Sequence, residues 1–319
     1  MQFTIRQFLI LSLAGLFAVP VLAGPIRDAL MERAEKRRAT AEQTSDLDGT
    51  EAAEAPGAKG KYSLPSGART ESNLAYGPDP AQRLDVHIPK NAEAAPIIVM
   101  VHGGAWMIGD KGYSAVVTNK AARWLPKGYV LVSVNYRMSK SPNPADQADD
   151  VGRALAFVQA KAASWGGDPN RLLLMGHSAG AHLVALVTAD ARIATSQGAK
   201  NWLGTVALDS AALNVVQIME SEHPRFYDTV FGKDPAHWAA TSPFQRMQSA
   251  PVPMLLVCSS QRADSCATAR AFAAKATSLG GRVSVLPVDL KHGAVNSELG
   301  KPNDYTTAVE AFMRSLGLP

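Results

Sequence analysis

The sequence predicts an α/β domain with a mostly parallel central sheet, helices on its faces and a cap insertion. Three observations lead there. Apolar runs such as Ala95–Val101 and Met254–Cys258 are continuous rather than alternating, as strands buried on both faces are. Segments with apolar residues at helical spacing, such as Val151, Ala154, Leu155 and Val158, alternate with them, which implies right-handed crossovers. Between Leu213 and Met247 that alternation stops. Phe226, Tyr227, Phe231, Trp238 and Phe244 occur there among prolines, which suits a cap over the carboxyl edge of the sheet.

In chain order, Arg6 and the apolar run Phe8 to Val21 precede Val21-Leu22-Ala23, the pattern of an export signal cleaved after Ala23. That run covers 14 residues, short of the ~20 a spanning helix needs. A signal over residues 1–23 therefore implies a periplasmic or secreted protein with no stable membrane anchor after cleavage. Residues 24–61 carry few large apolar side chains and no aromatic one, so they read as a flexible linker. The folded domain is expected over residues 62–319, with its cap at about 213–247.

Asn73 to Tyr76 and Arg83 to Pro89 read as an antiparallel entry pair around the turn Gly77-Pro78-Asp79-Pro80; His87 on the second strand suits a surface or sheet position. Ala95–Val101 and Tyr129–Val134 are buried strands, and Asp146 to Ala163 is a helix. Arg171 to Met175 is a strand, a helix follows it, and Leu203 to Asp209 is the next strand. After the cap come a strand at Met254–Cys258, a helix from Ala267 to Leu279, a strand from Arg282 to Val288 and a closing helix from Tyr305 to Leu316.

Composition narrows the function classes. The 319 residues are 46% hydrophobic and 19% charged, enough for a sizeable core. The net charge of +4, without a lysine- or arginine-dense face in the folded part, leaves no footprint for nucleic acid. A small-molecule partner is expected. The two cysteines, Cys258 and Cys266, can pair in an oxidising compartment or remain thiols, and no spacing resembles a metal site or implies a cofactor.

The chemistry centres on Gly176-His177-Ser178-Ala179-Gly180, a tight turn between a strand and a helix. Such a turn strains the backbone of the central serine, and glycines two residues either side let strand and helix approach. It lifts the Ser178 hydroxyl clear of the sheet and leaves the Ala179 N–H at a helix start. A serine hydroxyl needs a base, and the base an orienting acid. His292 follows the last strand on the edge where all parallel strands end, so it is the expected base, ahead of His182, His223 and His237. Asp264, in the loop after Cys258, is the expected acid because it gives the order Ser, Asp, His; Asp209, ending the preceding strand, competes. Gly103 and Gly104, after the buried strand, would join Ala179 as N–H donors to an oxyanion. Trp106 and Trp238 are candidate pocket walls.

Together, His102-Gly103-Gly104-Ala105-Trp106 and Gly176-His177-Ser178-Ala179-Gly180, with Asn135-Tyr136-Arg137 and Gly166-Gly167-Asp168-Pro169, resemble the α/β-hydrolase fold. The likeness is to its carboxylesterase branch, among hormone-sensitive-lipase-like esterases, feruloyl-esterase-like proteins and kynurenine formamidases. It implies a serine hydrolase acting on small carboxylic esters through an acyl-enzyme on Ser178. Amide or formamide cleavage would use the same residues, and a hydrolase-like binding protein is the non-enzymatic alternative. Similar proteins often carry a histidine-glycine pair after the acid strand and an aspartate soon after, where this chain has Cys258-Ser259-Ser260.

Overall fold

The computed structural model describes residues 62–210 and 212–319. The expected export signal and linker lie outside the described residues. The strands are β1 (Arg69–Ala75), β2 (Arg83–Ile88), β3 (Ala95–Val101), β4 (Val130–Val134), β5 (Gly167–His177), β6 (Gly204–Leu208), β7 (Met254–Ser259) and β8 (Val283–Val288). They form one sheet in the order β1-β2-β4-β3-β5-β6-β7-β8. The entry strands β1 and β2 are antiparallel, and every pairing from β4 to β8 is parallel.

The continuous apolar runs follow from this position. Val99, Val101, Leu172 and Leu174 face one layer, while Ile98, Met100, Leu173 and Met175 face the other. With a helix layer on each face, both phases of the strand must be apolar. Helices α1 (Ser114–Trp124), α2 (Pro144–Lys161), α3 (Ala179–Ala189) and α4 (Arg192–Thr195) occur between β3 and β6. Four short helices, α5 (Val215–Met219), α6 (Phe226–Phe231), α7 (Pro235–Thr241) and α8 (Pro243–Arg246), fill the stretch between β6 and β7. The chain ends with α9 (Ser265–Ser278), α10 (His292–Ser297) and α11 (Asp304–Ser315). Residues of α2, α3 and α9 share one core layer; those of α1 and α11 share the other.

Every residue of α3 is buried. A helix apolar all round has no solvent face, and α3 is enclosed by the sheet, α2 and the small helices of the insertion. His87 is fully buried on β2, with Nδ1 2.9 Å from the Thr70 hydroxyl on β1. Pairing with β1 covers it, so it is a sheet histidine and not a surface one.

Candidate active site

Ser178 lies between β5 and α3 with φ 55° and ψ −120°, in the positive-φ region that disfavours side chains. The turn is held by its neighbours. The Ser178 N–H donates to the Leu208 carbonyl at 3.0 Å. A Cβ on Gly176 would come within 2.4 Å of the Gly180 carbonyl oxygen, and one on Gly180 within 2.4 Å of the carbonyl oxygens of Val101 and His102. Only glycine at 180 lets the start of α3 press on the end of β3. That contact sets the first turn of α3, which carries Ala179, against the residues that lead into Gly103 and Gly104.

The turn after β3 is itself constrained. Gly104 has φ +116°, and a Cβ there would overlap the Ile108 carbonyl. Ala105 and Trp106 also have positive φ, 49° and 62°. Side chains outside the sequence motif hold this backbone. The Tyr136 ring stacks on His102 at 4.6 Å, and its hydroxyl donates to the His102 carbonyl at 3.2 Å. Gln147 of α2 donates from Nε2 to the carbonyls of Trp106 and Arg137, each at 2.8 Å. Nothing in the local sequence marks Gln147 beyond its place at the start of an amphipathic helix.

His292 is the first residue of α10, the short helix that follows β8. Its Nδ1 lies 2.6 Å from Oδ2 of Asp209. The His177 ring packs on it at 4.6 Å, and Nε2–H of His177 donates to the His292 carbonyl at 3.0 Å. His292 Nε2 is buried with no hydrogen-bond partner among the described residues. Burial, the charge of nearby His177 and that of Arg262 outweigh the pull of Asp209 and lower the imidazole to about 4.

The acid is therefore corrected: the structure pairs His292 with Asp209, not Asp264. Asp209 follows β6 with φ 55° and its N–H donates to the Val257 carbonyl at 2.8 Å. Its carboxylate is fully buried and accepts from the Ser259 N–H at 2.9 Å, from the Ser265 hydroxyl and from Arg262 Nη1 at 3.0 Å. Burial alone would raise this carboxyl, but His292, Arg262 and the Ser259 N–H hold it well below the usual carboxylate range. Asp264 instead begins α9 with its side chain exposed. As the residue preceding that helix it is solvent-exposed and lines a cleft together with Phe226 and Tyr227.

Two further expectations meet the structure differently. Cys258 and Cys266 are joined as a disulfide, closing the loop that carries Ser259, Arg262 and Ser265. Trp106, expected as a pocket wall, is 1% exposed and packed against Tyr227 and Phe231, and its indole N–H donates to His182 Nδ1 at 3.1 Å. Trp238 is half-buried, with its indole N–H donating to the Gly232 carbonyl at 3.0 Å. A cleft of about 470 Å³ runs between α5–α6 and the 261–268 segment. Its walls include Phe226, Tyr227, His223, Arg262 and Ser265, and neither tryptophan lines it.

The comparisons with known proteins agree with this architecture. The BD-FAE family matches residues 84–222. A rice (Oryza sativa subsp. japonica) protein named probable isoprenylcysteine alpha-carbonyl methylesterase ICME is 30% identical over 166 residues, 50% of this chain and 39% of that protein. Esterase LipC of Mycobacterium tuberculosis is 40% identical over 116 residues, 35% of this chain and 28% of its own length. The chain thus spans well under half the length of these curated relatives. The crystal structure of esterase B from Lactobacillus rhamnosis superposes with a TM-score of 0.66 at 21% identity, covering 89% of this chain and 94% of that one. By sheet order, by the turn at Ser178 and by these likenesses, the chain has the α/β-hydrolase fold and resembles carboxylic ester hydrolases.

Proposed function

We propose that the protein is a serine carboxylesterase acting on small esters, with Ser178, His292 and Asp209 as its catalytic triad. The observation that carries this is the 2.6 Å contact between His292 Nδ1 and the buried Asp209 carboxylate, with Ser178 in a strained strand-to-helix turn whose N–H is bound to the carbonyl of Leu208, the residue before Asp209. Ionised Asp209 only accepts, so the proton lies on Nδ1 and the Nε2 lone pair is left to act as base. His292 takes the proton of Ser178 as its oxygen attacks the ester carbon. The N–H groups of Gly103, Gly104 and Ala179 bind the oxyanion, each worth roughly 3–4 kcal/mol of barrier. His292 then protonates the leaving alcohol, and water repeats the sequence on the acyl-enzyme.

The same reading includes export through a signal cleaved after Ala23, to the periplasm or outside the cell. The Cys258–Cys266 bond supports it, since such bonds persist in oxidising compartments.

A fluorophosphonate probe with peptide mapping, run beside p-nitrophenyl ester hydrolysis, tests the assignment. Stoichiometric labelling at Ser178 is expected, and Ser178→Ala should lower kcat by on the order of 10⁴–10⁶. An unlabelled, folded protein without turnover would refute it.

A further inference from the structure

Arg262 is placed where a serine hydrolase has no general need of a cation. Its Nη1 is 3.0 Å from Oδ2 of Asp209, 3.3 Å from the Asp209 carbonyl and 3.1 Å from His292 Nδ1. With Nδ1 donating to Oδ2, the guanidinium cannot also donate to that nitrogen. Both N–H groups converge on one carboxylate oxygen, and the positive charge stands beside the imidazole instead of binding it.

We propose that Arg262 is a positioning residue for the His292–Asp209 pair: its guanidinium fixes the carboxylate and places a permanent positive charge beside the imidazole, keeping His292 a neutral base down to more acidic pH. This rests on the esterase reading given above. A second cation next to an imidazolium is repulsive, and sharing Oδ2 with Arg262 weakens the carboxylate's hold on an added proton. Both effects disfavour protonated His292. The loop makes the arrangement rigid, because Ser259 and Ser265, which flank Arg262, bind the other carboxylate oxygen.

Among the other groups around the pair, His177 also disfavours the imidazolium, but Arg262 is the cation hydrogen-bonded to the Asp209 carboxylate. His177 faces His292 from β5. Tyr305 of α11, whose ionisation burial pushes well above the ordinary range, donates its hydroxyl to the Val295 carbonyl at 2.8 Å. Asp289, after β8, accepts from Gln261 Nε2 at 2.9 Å and so is turned to the 259–265 loop. Lys291, preceding His292, is exposed.

The test compares wild type, Arg262→Gln and Arg262→Lys in the full chain. The acid-side limb of kcat/KM for p-nitrophenyl acetate reports the free-enzyme histidine. Removing the charge should move that limb to higher pH by about one unit, so kcat/KM on the limb falls by up to about tenfold. KM should change little, and Arg262→Lys, which keeps the charge, should move the limb by less than half as much. Ring-proton NMR titration of His292 in the same three proteins gives the comparison without turnover. An acid limb or His292 titration unmoved in folded Arg262→Gln overturns the proposal, as do equal shifts in Gln and Lys variants. Failure of the esterase reading looks different: wild type neither turns over ester nor labels at Ser178. Should Arg262→Gln not fold, Arg262→Ala and the lysine variant make the same comparison.

Discussion

Trp106 donates its indole N–H to Nδ1 of His182 at 3.1 Å, and the opposite nitrogen of that imidazole donates to the Thr241 carbonyl at 2.8 Å. One buried histidine, four residues beyond Ser178, thus joins the turn after β3 to the insertion above it. Burial lowers His182 to about 4, so the ring is neutral and can accept on one side and donate on the other. The Ser178 turn and the Gly103-Gly104 turn are therefore fixed to each other through a side chain as well as through Gly180.

His182→Phe keeps a ring of similar size and removes both hydrogen bonds. The indole N–H and the Thr241 carbonyl would be left buried and unpartnered, at roughly 1–3 kcal/mol each. Urea unfolding should show a loss of about 2–4 kcal/mol, and an unchanged midpoint would mean that the insertion is held by its apolar contacts alone.

Stability should fall in mild acid. His87, His182 and His292 are each lowered to about 4, in each case chiefly by burial. Between about 6.5 and 4 the unfolded chain takes up protons on these rings and the folded chain does not. Their contribution is complete above about 6.5 and is lost as pH falls through 4, at up to about 1.4 kcal/mol per pH unit for each ring. Denaturation midpoints at pH 7, 6 and 5 should decline, and less steeply in His182→Phe.

Asp209→Asn and Asp264→Asn separate the two acids. The first leaves His292 free to adopt the wrong tautomer and should lower kcat by on the order of 10³–10⁴. Asp264 is exposed at the start of α9, without a side-chain cap bond, so its replacement should leave kcat within about twofold of wild type. The reverse ranking in ester hydrolysis would return the acid to the loop after β7.

What the sequence disclosed and what it hid divide along this line. Ser178, its glycines and the strands around it are local features, written in spacing and in apolar runs. His292 was legible from its place after β8. The acid was not, because the choice rests on a positive φ at Asp209 and on donors some 50 residues away. Ser259, 50 positions from Asp209, is one such donor. The available signal was negative: the loop after β7 carries Ser259, Arg262 and Ser265, donors suited to receive a carboxylate, and its own aspartate opens a helix. The bracing roles of Gln147, His182 and Tyr136 were hidden for a similar reason, since each bonds a partner that only the fold brings near.

Gly180→Ala should damage both turns at once. The added Cβ would sit 2.4 Å from the carbonyl oxygens of Val101 and His102, which are backbone atoms that cannot swing aside. Relief requires α3 to lift from β3, at about 1–3 kcal/mol by the usual cost of overpacking. Thermal unfolding reads that loss, and kcat should fall further than stability alone explains because Ala179 moves away from Gly103 and Gly104.

Reduction of the Cys258–Cys266 bond offers the last prediction. The bond closes a loop whose residues supply, among the described residues, the donors to the Asp209 carboxylate apart from His292, and its two cysteines adjoin Ser259 and Ser265. Opening so short a loop should lower stability by about 2–3 kcal/mol on the chain-entropy model. The larger effect should be on turnover. With Ser259, Arg262 and Ser265 less restrained, the Asp209 carboxylate loses its fixed orientation toward His292, and kcat for p-nitrophenyl acetate should drop at least several-fold while KM stays near its oxidised value. The Cys258→Ser/Cys266→Ser protein should match the reduced enzyme and ignore reductant. Full activity in a chain shown by mass to be reduced would mean that packing of α9, and not the covalent bond, sets the loop.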